Sequence, residues 1–197
     1  MKNIEKERIY VIINMIHHQW EGTMYKLNGV MYSEEEIKNK VKELGKQIEK
    51  DYAGEELLVV GILKGASIFC SDLIREINLD VRMDFMAVSS YGTSTTSSGT
   101  VKIIKDLDVD IENKNVLIVE DIIDSGLTLS SLVEALKTRK PKSLKLCTLL
   151  DKPDRRSSDI KVDYVGYVIE DKFIVGYGID YAEKYRNLPY IGIVEDI

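Results

Sequence analysis

Short apolar runs alternate with amphipathic segments along most of the chain. Two of these runs, Leu57–Leu63 and residues 116–119, contain no polar or charged side chain, which is typical of parallel strands that are covered on both faces. Four further strands are predicted at residues 81–88, 101–104, 144–150 and 164–169.

Between the apolar runs, hydrophobic residues recur at helical spacing. Glu34–Asp51 predicts an amphipathic helix before the first of the two runs. A second helix is predicted after Leu57–Leu63, and a third after residues 116–119, where Pro141 ends the helical pattern. Strands that alternate with helices predict an α/β fold, a doubly wound parallel sheet flanked by helices. Ligands of such sheets bind beyond the carboxyl ends of the strands.

Length and composition indicate one soluble domain. The chain has 197 residues, of which 44% are hydrophobic and 30% charged, and its formal net charge is -6. This charge argues against broad binding of nucleic acid. The apolar stretch at residues 9–16 is too short for a membrane span and lacks the flanks of a signal peptide, so no membrane partner is expected. Residues 1–23 are interpreted as an N-terminal extension of unknown role, and residues 24–197 as the main domain.

The cysteines predict no metal site and no disulfide. Cys70 and Cys147 lie in apolar segments and form no CxxC pair, and the chain has only two histidines. No zinc-binding spacing is therefore visible. We interpret both cysteines as reduced thiols in the core, which is typical of a cytoplasmic protein.

Three carboxylates cluster beyond the run at residues 116–119. Glu120 and Asp121 follow it directly, Asp124 comes next, and a small polar turn at residues 125–128 precedes the third predicted helix. Two carboxylates can hold a sugar diol, or a divalent cation that carries phosphates. A glycine-containing turn at a helix start can bind phosphate through its N–H groups. Two structural alternatives remain open: a solvated strand end and an ordinary capped helix.

The strand at residues 116–119 and the loop at residues 120–128 resemble the motif that binds phosphoribosyl diphosphate (PRPP) in type I phosphoribosyltransferases. Other segments resemble the hypoxanthine-guanine phosphoribosyltransferases in particular, namely residues 63–66, 90–92, 149–152, 171–180 and 185–189. The matches occur in family order from about residue 24 to the C-terminus. The resemblance implies the type I fold, with a small hood built from N- and C-terminal segments.

The resemblance also assigns PRPP-binding residues. Glu120 and Asp121 are implied to hold the ribose hydroxyls, directly or through Mg²⁺. Asp124 is implied to face N7 of the purine as the general base. The 5′-phosphate is implied to lie in a loop formed by Asp124, Ser125, Gly126, Leu127 and Thr128. Some relatives carry a lysine at the position of Leu127, so this loop has one cation fewer and depends on its N–H groups.

The resemblance also implies roles for two more segments: one contacts the pyrophosphate, and the other excludes water from the site. Lys64, Gly65 and Arg186 are expected to contact the pyrophosphate, and the peptide bond before Lys64 is often cis in this family. Ser90 and Tyr91 resemble part of the family's mobile loop, which closes over the site and excludes water.

On the purine side, the resemblance implies contacts from Lys152, Phe173, Ile174 and Asp180. An ammonium group donates hydrogen bonds and accepts none, so Lys152 suits the 6-oxo group of hypoxanthine or guanine and disfavours the 6-amino group of adenine. Phe173 is implied to stack on the base, and Ile174 to offer backbone contacts. Asp180 is implied to bind Mg²⁺, the expected cofactor, together with the carboxylate pair that follows residues 116–119.

The sequence thus predicts Mg²⁺-dependent transfer of a phosphoribosyl group from PRPP to N9 of a 6-oxopurine. The resemblance suggests a homodimer or homotetramer, and xanthine remains open as a substrate. A non-catalytic regulator that senses PRPP or nucleotide is the main alternative, but the presence of Lys64, Asp124 and Lys152 argues against it. A signalling receiver domain would share the start of the motif and would leave the first half of the chain unexplained.

Overall fold

The computed structural model describes residues 26–90 and 101–195. Its strands are β1 (Lys26–Tyr32), β2 (Leu57–Leu63), β3 (Val81–Ser90), β4 (Val101–Lys105), β5 (Asn115–Ile123), β6 (Ser143–Asp151), β7 (Tyr164–Val168), β8 (Ile174–Val175) and β9 (Ile191–Glu195). Its α-helices are α1 (Glu34–Asp51), α2 (Ser67–Arg75) and α3 (Leu127–Lys137), and a short 3-10 helix covers Pro153–Arg155. The predicted extension at residues 1–23 lies outside the described residues.

Six strands form the central sheet in the order β4-β3-β2-β5-β6-β7. All pairs from β3 to β7 are parallel, which confirms the predicted doubly wound sheet. β4 is the exception, because it pairs antiparallel with β3. Only residues 91–100 separate these two strands, which is too short a connection for a helical crossover.

Helices cover both faces of this sheet. Leu117 and Val119 of β5 belong to an apolar cluster that includes residues of α1 and α2. Val116 and Ile118, which point the other way, belong to a second cluster that includes residues of α3. All four side chains are fully buried. Burial on both faces explains why this stretch of β5 is apolar at every position.

A second, smaller sheet forms the predicted hood. β1 and β8 both pair antiparallel with β9, so the two ends of the described chain come together. The rings of Tyr32, at the end of β1, and Tyr167, in β7, stack with their centroids 3.8 Å apart. This stack fixes one end of the hood to the edge of the central sheet.

Cys70 and Cys147 are buried and form no disulfide, as predicted. Burial raises the pKa of the Cys70 thiol to about 12, so this thiol stays protonated at neutral pH. Within residues 26–90 and 101–195, no helix is both long and apolar enough to cross a membrane.

Some predicted boundaries differ from the structure. β5 continues through Glu120 and Asp121 to Ile123, because the neighbouring strand β6 keeps its register alongside as far as Asp151. β3 likewise continues to Ser90, where it still pairs with β4. Hydrogen bonding between strands therefore carries regular structure past the end of the apolar pattern.

Candidate active site

Two adjacent carboxylates, Glu120 and Asp121, lie near the carboxyl end of β5. Side chains alternate between the two apolar clusters as far as Val119, but Ile122 then packs with the cluster of Leu117 and Val119, and Ile123 with the cluster of Val116 and Ile118. The prediction that the strand has already given way to loop at these residues is wrong. A ligand that contacts both carboxylates would lie at the carboxyl edge of the sheet.

Nearby hydrogen-bond donors and positive charges do not offset the cost of burying the carboxylates of Glu120 and Asp121. Burial raises the pKa of Glu120 well above its usual value, and the charge of Asp121 adds to the effect. Burial also raises the pKa of Asp121 to about 6, although the N–H of Ile122 donates to it at 2.8 Å and Arg186 acts in the opposite direction. Buried acids whose ionised forms are disfavoured are typical of functional sites.

The loop after β2 approaches Asp121 too closely for any side chain on Gly65. A Cβ on Gly65 would lie 1.7 Å from Asp121 Oδ2, and a Cβ on Gly178 would lie 2.1 Å from Gly65 O. Gly178 also has a φ of 101°, a left-handed conformation that favours glycine. The predicted pyrophosphate loop, the end of β5 and the C-terminal segment thus meet at one place. The Leu63–Lys64 peptide bond is cis.

The two predicted pyrophosphate cations are joined through a glutamate that sequence reasoning missed. Lys64 Nζ lies 3.0 Å from Glu183 Oε2. Arg186 Nη2 lies 3.5 Å from the same oxygen and 2.8 Å from Asp180 Oδ1. Arg186 Nη1 donates to Gly178 O at 2.8 Å. The structure therefore brings Lys64 and Arg186 to one side of the site.

The start of α3 lacks the cap that α1 has. In α1, Ser33 Oγ accepts a hydrogen bond from Glu36 N while Glu36 Oε2 accepts one from Ser33 N. At α3 the cap position is Gly126, with a φ of 75°, and no side chain makes a capping hydrogen bond. The alternative of an ordinary capped helix is therefore wrong. Leu127 and Thr128 begin the first helical turn, and the N–H groups of a helix start suit an anion.

The segment after β6 supports this loop from behind. Ser157 N donates to Ser125 O at 3.0 Å, and Ser158 Oγ donates to the same oxygen at 3.2 Å. A Cβ on Gly126 would lie 2.5 Å from Ser158 Oγ. These contacts fix the predicted phosphate loop against the neighbouring strand's continuation. Neither supporting serine was predicted.

Lys152 lies immediately beyond β6, and its ammonium group is held by two acceptors. The residue is 7% exposed. Its Nζ donates to Lys172 O at 2.7 Å and to Asp171 Oδ1 at 3.2 Å. Asp171 fell within a matched segment but received no role from the sequence. A lysine that is buried at a strand end, where most are solvated, supports a recognition role.

The two apolar residues of the predicted purine site differ in exposure. Phe173 is 46% exposed and makes an edge-to-face contact with Tyr181, with ring centroids 5.1 Å apart. A core role for Phe173 is therefore excluded, and its ring is accessible to a ligand. Ile174 is buried in β8, so only its backbone could face a ligand.

Asp124 pairs with an arginine that no motif predicted. Arg155 Nε lies 2.8 Å from Asp124 Oδ1, and Arg155 Nη1 lies 3.0 Å from Asp171 Oδ2. Arg155 ends the short 3-10 helix that follows Lys152. The adjacent arginines at 155 and 156, just past a strand end, are the sequence feature that could have revealed it.

The predicted metal ligands suit a cation that arrives with substrate. Within the described ranges, no three acidic, histidine or cysteine side chains are grouped to hold an ion. Asp180 is already engaged, because it pairs with Arg186 and accepts from Glu183 N at 2.8 Å. Mg²⁺ commonly uses one or two carboxylates together with substrate phosphates. The under-compensated oxygens of Glu120 and Asp121 fit that mode of binding.

The last two predicted site residues, Ser90 and Tyr91, are those that the resemblance assigns to a mobile loop. Ser90 is the final residue of β3, and Tyr91 lies outside the described residues.

Comparison with known proteins identifies the family. A family model described as a phosphoribosyl transferase domain matches residues 31–182. The chain belongs to this family. Among curated phosphoribosyltransferases, the hypoxanthine-guanine phosphoribosyltransferase of Bacillus subtilis (strain 168) is 60% identical to it over 166 residues, which cover 84% of this chain and 92% of that protein.

Solved phosphoribosyltransferase structures share the fold. A hypoxanthine phosphoribosyltransferase from Staphylococcus aureus matches with a TM-score of 0.84 and 56% identity, over 86% of this chain and 92% of that chain. A hypoxanthine-guanine phosphoribosyltransferase from Bacillus anthracis, with a HEPES molecule in its active site, matches with a TM-score of 0.83 and 56% identity, over 86% and 100%. Membership of this family excludes the receiver-domain alternative.

Proposed function

We propose that this phosphoribosyltransferase transfers the 5-phosphoribosyl group of PRPP to N9 of hypoxanthine or guanine, giving IMP or GMP and pyrophosphate for purine salvage. The observation that carries the proposal is the buried ammonium group of Lys152, which donates to the carbonyl next to the exposed ring of Phe173. The names of the Bacillus and Staphylococcus relatives support the same substrates.

Lys152 is the residue that selects the base. Its ammonium group can donate to a 6-oxo group but has no lone pair for the 6-amino group of adenine. Bound adenine would turn a second donor toward a buried charge, which is costly. Phe173 stacks on the purine ring, and the backbone of Ile174 lies along its edge.

PRPP binds across the carboxyl edge of the sheet. The first turn of α3 and the loop at residues 125–128 receive the 5′-phosphate, because the cap residue of this helix, Gly126, has no side chain that could occupy the helix start. Glu120 and Asp121 contact the ribose hydroxyls. Lys64, Gly65 and Arg186 hold the pyrophosphate on the α2 side.

In the reaction, N9 of the base attacks C1′ while the bond from C1′ to the pyrophosphate oxygen breaks. Asp124 takes up the proton that leaves N7, so the purine becomes neutral as the new bond forms. The transition state has a loose, cationic ribose, so correct placement of the reactants supplies much of the rate enhancement. The loop that contains Ser90 and Tyr91 closes over the site and keeps water from C1′.

Glu120, Asp121 and Asp180 are the residues that would hold Mg²⁺. When bound with PRPP, the ion neutralises charge on the pyrophosphate. The cationic side chains of Lys64 and Arg186 act on the same charge from the protein side, after exchanging their present carboxylate partners for phosphate oxygens.

The proposal also covers the location, oligomeric state, partners and domain organisation of the enzyme. We expect a cytoplasmic homodimer or homotetramer without nucleic-acid or membrane partners. Residues 1–23 are an appendage to the catalytic domain at residues 24–197.

The proposal is tested by measuring nucleotide formation from PRPP and Mg²⁺ with hypoxanthine, guanine, xanthine and adenine in parallel. We expect turnover of hypoxanthine and guanine, and turnover of adenine lower by roughly 100-fold or more. Adenine turnover equal to that of hypoxanthine would contradict the role of Lys152. A folded protein that binds PRPP but converts none of the bases would overturn the enzymatic function.

A further inference from the structure

Two charged side chains, Asp171 and Arg155, connect Lys152 to Asp124, so that four charges of alternating sign lie in a row. Lys152 Nζ lies 3.2 Å from Asp171 Oδ1. The other oxygen of Asp171, Oδ2, lies 3.0 Å from Arg155 Nη1, and Arg155 Nε lies 2.8 Å from Asp124 Oδ1. Arg155 thus uses two different nitrogens of its rigid guanidinium plane to bridge two carboxylates.

Arg155 covers one oxygen of Asp124 and leaves the rest of the carboxylate open. Asp124 Oδ1 is buried and lies 2.8 Å from Arg155 Nε, with which it forms an ion pair. The Asp124 side chain as a whole is 47% exposed. The accessible part of the carboxylate is therefore the part that Arg155 does not cover.

The two ends of this chain of charges match one edge of a purine. In guanine, N7 and O6 lie side by side on the same edge. In the function proposed above, Asp124 contacts N7 and Lys152 contacts O6. Arg155 and Asp171 therefore lie behind the two side chains that must fit adjacent atoms of the base.

We infer that Arg155 is a positioning residue, which acts with Asp171 to set the separation of Asp124 and Lys152 for N7 and O6 of a 6-oxopurine. This inference rests on the proposed function. Arg155 itself needs no contact with the reacting atoms. Because the phosphate loop is supported independently through Ser125, Ser157 and Ser158, loss of Arg155 should affect the base and spare PRPP.

The test compares Arg155→Gln, Arg155→Lys and the wild type in kcat and in KM for hypoxanthine and PRPP. We expect Arg155→Gln to lower kcat/KM for hypoxanthine roughly tenfold, as is typical of a broken ionic network, with KM for PRPP changed by less than about twofold. Arg155→Lys should recover only part of the loss, because a single ammonium nitrogen lacks the planar fork through which Arg155 reaches the two carboxylates with separate nitrogens.

Arg139→Gln is the matched control, because Arg139 makes a two-nitrogen ion pair with Asp106 outside the site. It should leave both KM values unchanged. In an Asp124→Asn background, the effect of Arg155→Gln should shrink to about twofold or less, because Arg155 acts through that carboxylate.

Three results would overturn the inference while leaving the proposed function in place: an Arg155→Gln enzyme equal to Arg139→Gln, an equal rise in KM for PRPP, or the full tenfold loss in the Asp124→Asn background. Wild-type protein without turnover of any 6-oxopurine would overturn both the inference and the function. Thermal unfolding of each variant separates a loss of folding from a loss of positioning.

Discussion

Two carboxylates of the central sheet, Asp84 in β3 and Asp121 in β5, are both largely enclosed by protein but differ in their partners. Asp84 accepts hydrogen bonds from Phe85 N at 2.7 Å, Asp108 N at 2.7 Å and Lys105 Nζ at 3.3 Å. Burial alone would raise the pKa of Asp84, but these donors outweigh it and lower the pKa below its usual value. For Asp121, burial prevails and raises the pKa to about 6.

The difference separates a carboxylate that serves the fold from one that is available to a ligand. Asp84 ties β3 to the end of β4 and the loop after it, and its acceptor sites are already used. Asp121 has Glu120 beside it and the backbone of Gly65 against it, so its acceptor capacity is underused. We therefore expect substitutions around Asp121 to change activity, and substitutions around Asp84 to change stability.

The largest effect is expected at Asp124, beyond the end of β5. Asp124→Asn should lower kcat roughly 100-fold or more, because an amide cannot take up the proton from N7. PRPP affinity and thermal stability should change little. Steady-state kinetics and PRPP titration measure both, with Asp80→Asn, at an exposed position before β3, as the control. Near-normal turnover would remove the general-base role.

A smaller effect on activity is expected at Lys152. Lys152→Ala should weaken hypoxanthine binding roughly 10- to 100-fold, because the donor to the 6-oxo group is lost, and should leave PRPP binding intact. Lys142→Ala is a suitable control, since Lys142 pairs with Glu55 and is half-exposed away from the site. If affinity for both substrates fell equally, the role of Lys152 would be structural, like that of Asp84, and not one of substrate recognition.

Most of the central sheet was predictable, because the pattern of apolar residues along the sequence directly reflects which positions are buried. Glu34–Asp51 and Leu57–Leu63 have the predicted bounds, since one apolar stripe or one fully apolar run defines each. β8 and β9 carry no comparable pattern. They form because they pair with each other and with β1, far away in sequence, so local propensity did not predict them individually.

The candidate site was only partly predictable for a related reason. The residues with family motifs, such as Lys64, Asp124 and Lys152, were named from the sequence. Arg155 and Glu183 were not, because their importance comes from contacts between distant segments. The continuation of β5 through Glu120 and Asp121 was also missed, since it depends on how far β6 extends alongside.

On the side of the fold, Asp84→Asn should lower the free energy of unfolding at pH 7 by about 1–2 kcal/mol. The amide nitrogen cannot accept from the N–H groups or the ammonium that the carboxylate satisfies. Because the folded-state pKa of Asp84 is lowered, its stabilisation is complete above about pH 4 and is lost as the pH falls through the folded-state pKa. Urea unfolding from pH 3 to 7 measures this, with Asp80→Asn as control. A constant difference across that range would contradict the ionic role.

The smallest effect, and the sharpest test of the comparison, is expected for Asp121→Asn. Its amide oxygen can still accept from Ile122 N, while the unfavourable buried charge disappears. With a folded-state pKa of about 6 and an unfolded-state value of about 4, the wild type loses stability as the pH rises between these values.

The Asp121→Asn variant should not lose this stability, so near pH 7 it should equal or exceed the wild type by about 1 kcal/mol, when both are measured in EDTA without PRPP. As the pH rises, the free energy of unfolding of the wild type should therefore fall relative to that of Asp121→Asn, whereas it should rise relative to that of Asp84→Asn. If Asp121→Asn instead destabilised the protein as much as Asp84→Asn, both carboxylates would be structural. The interpretation of the carboxyl end of β5 as a ligand site would then be wrong.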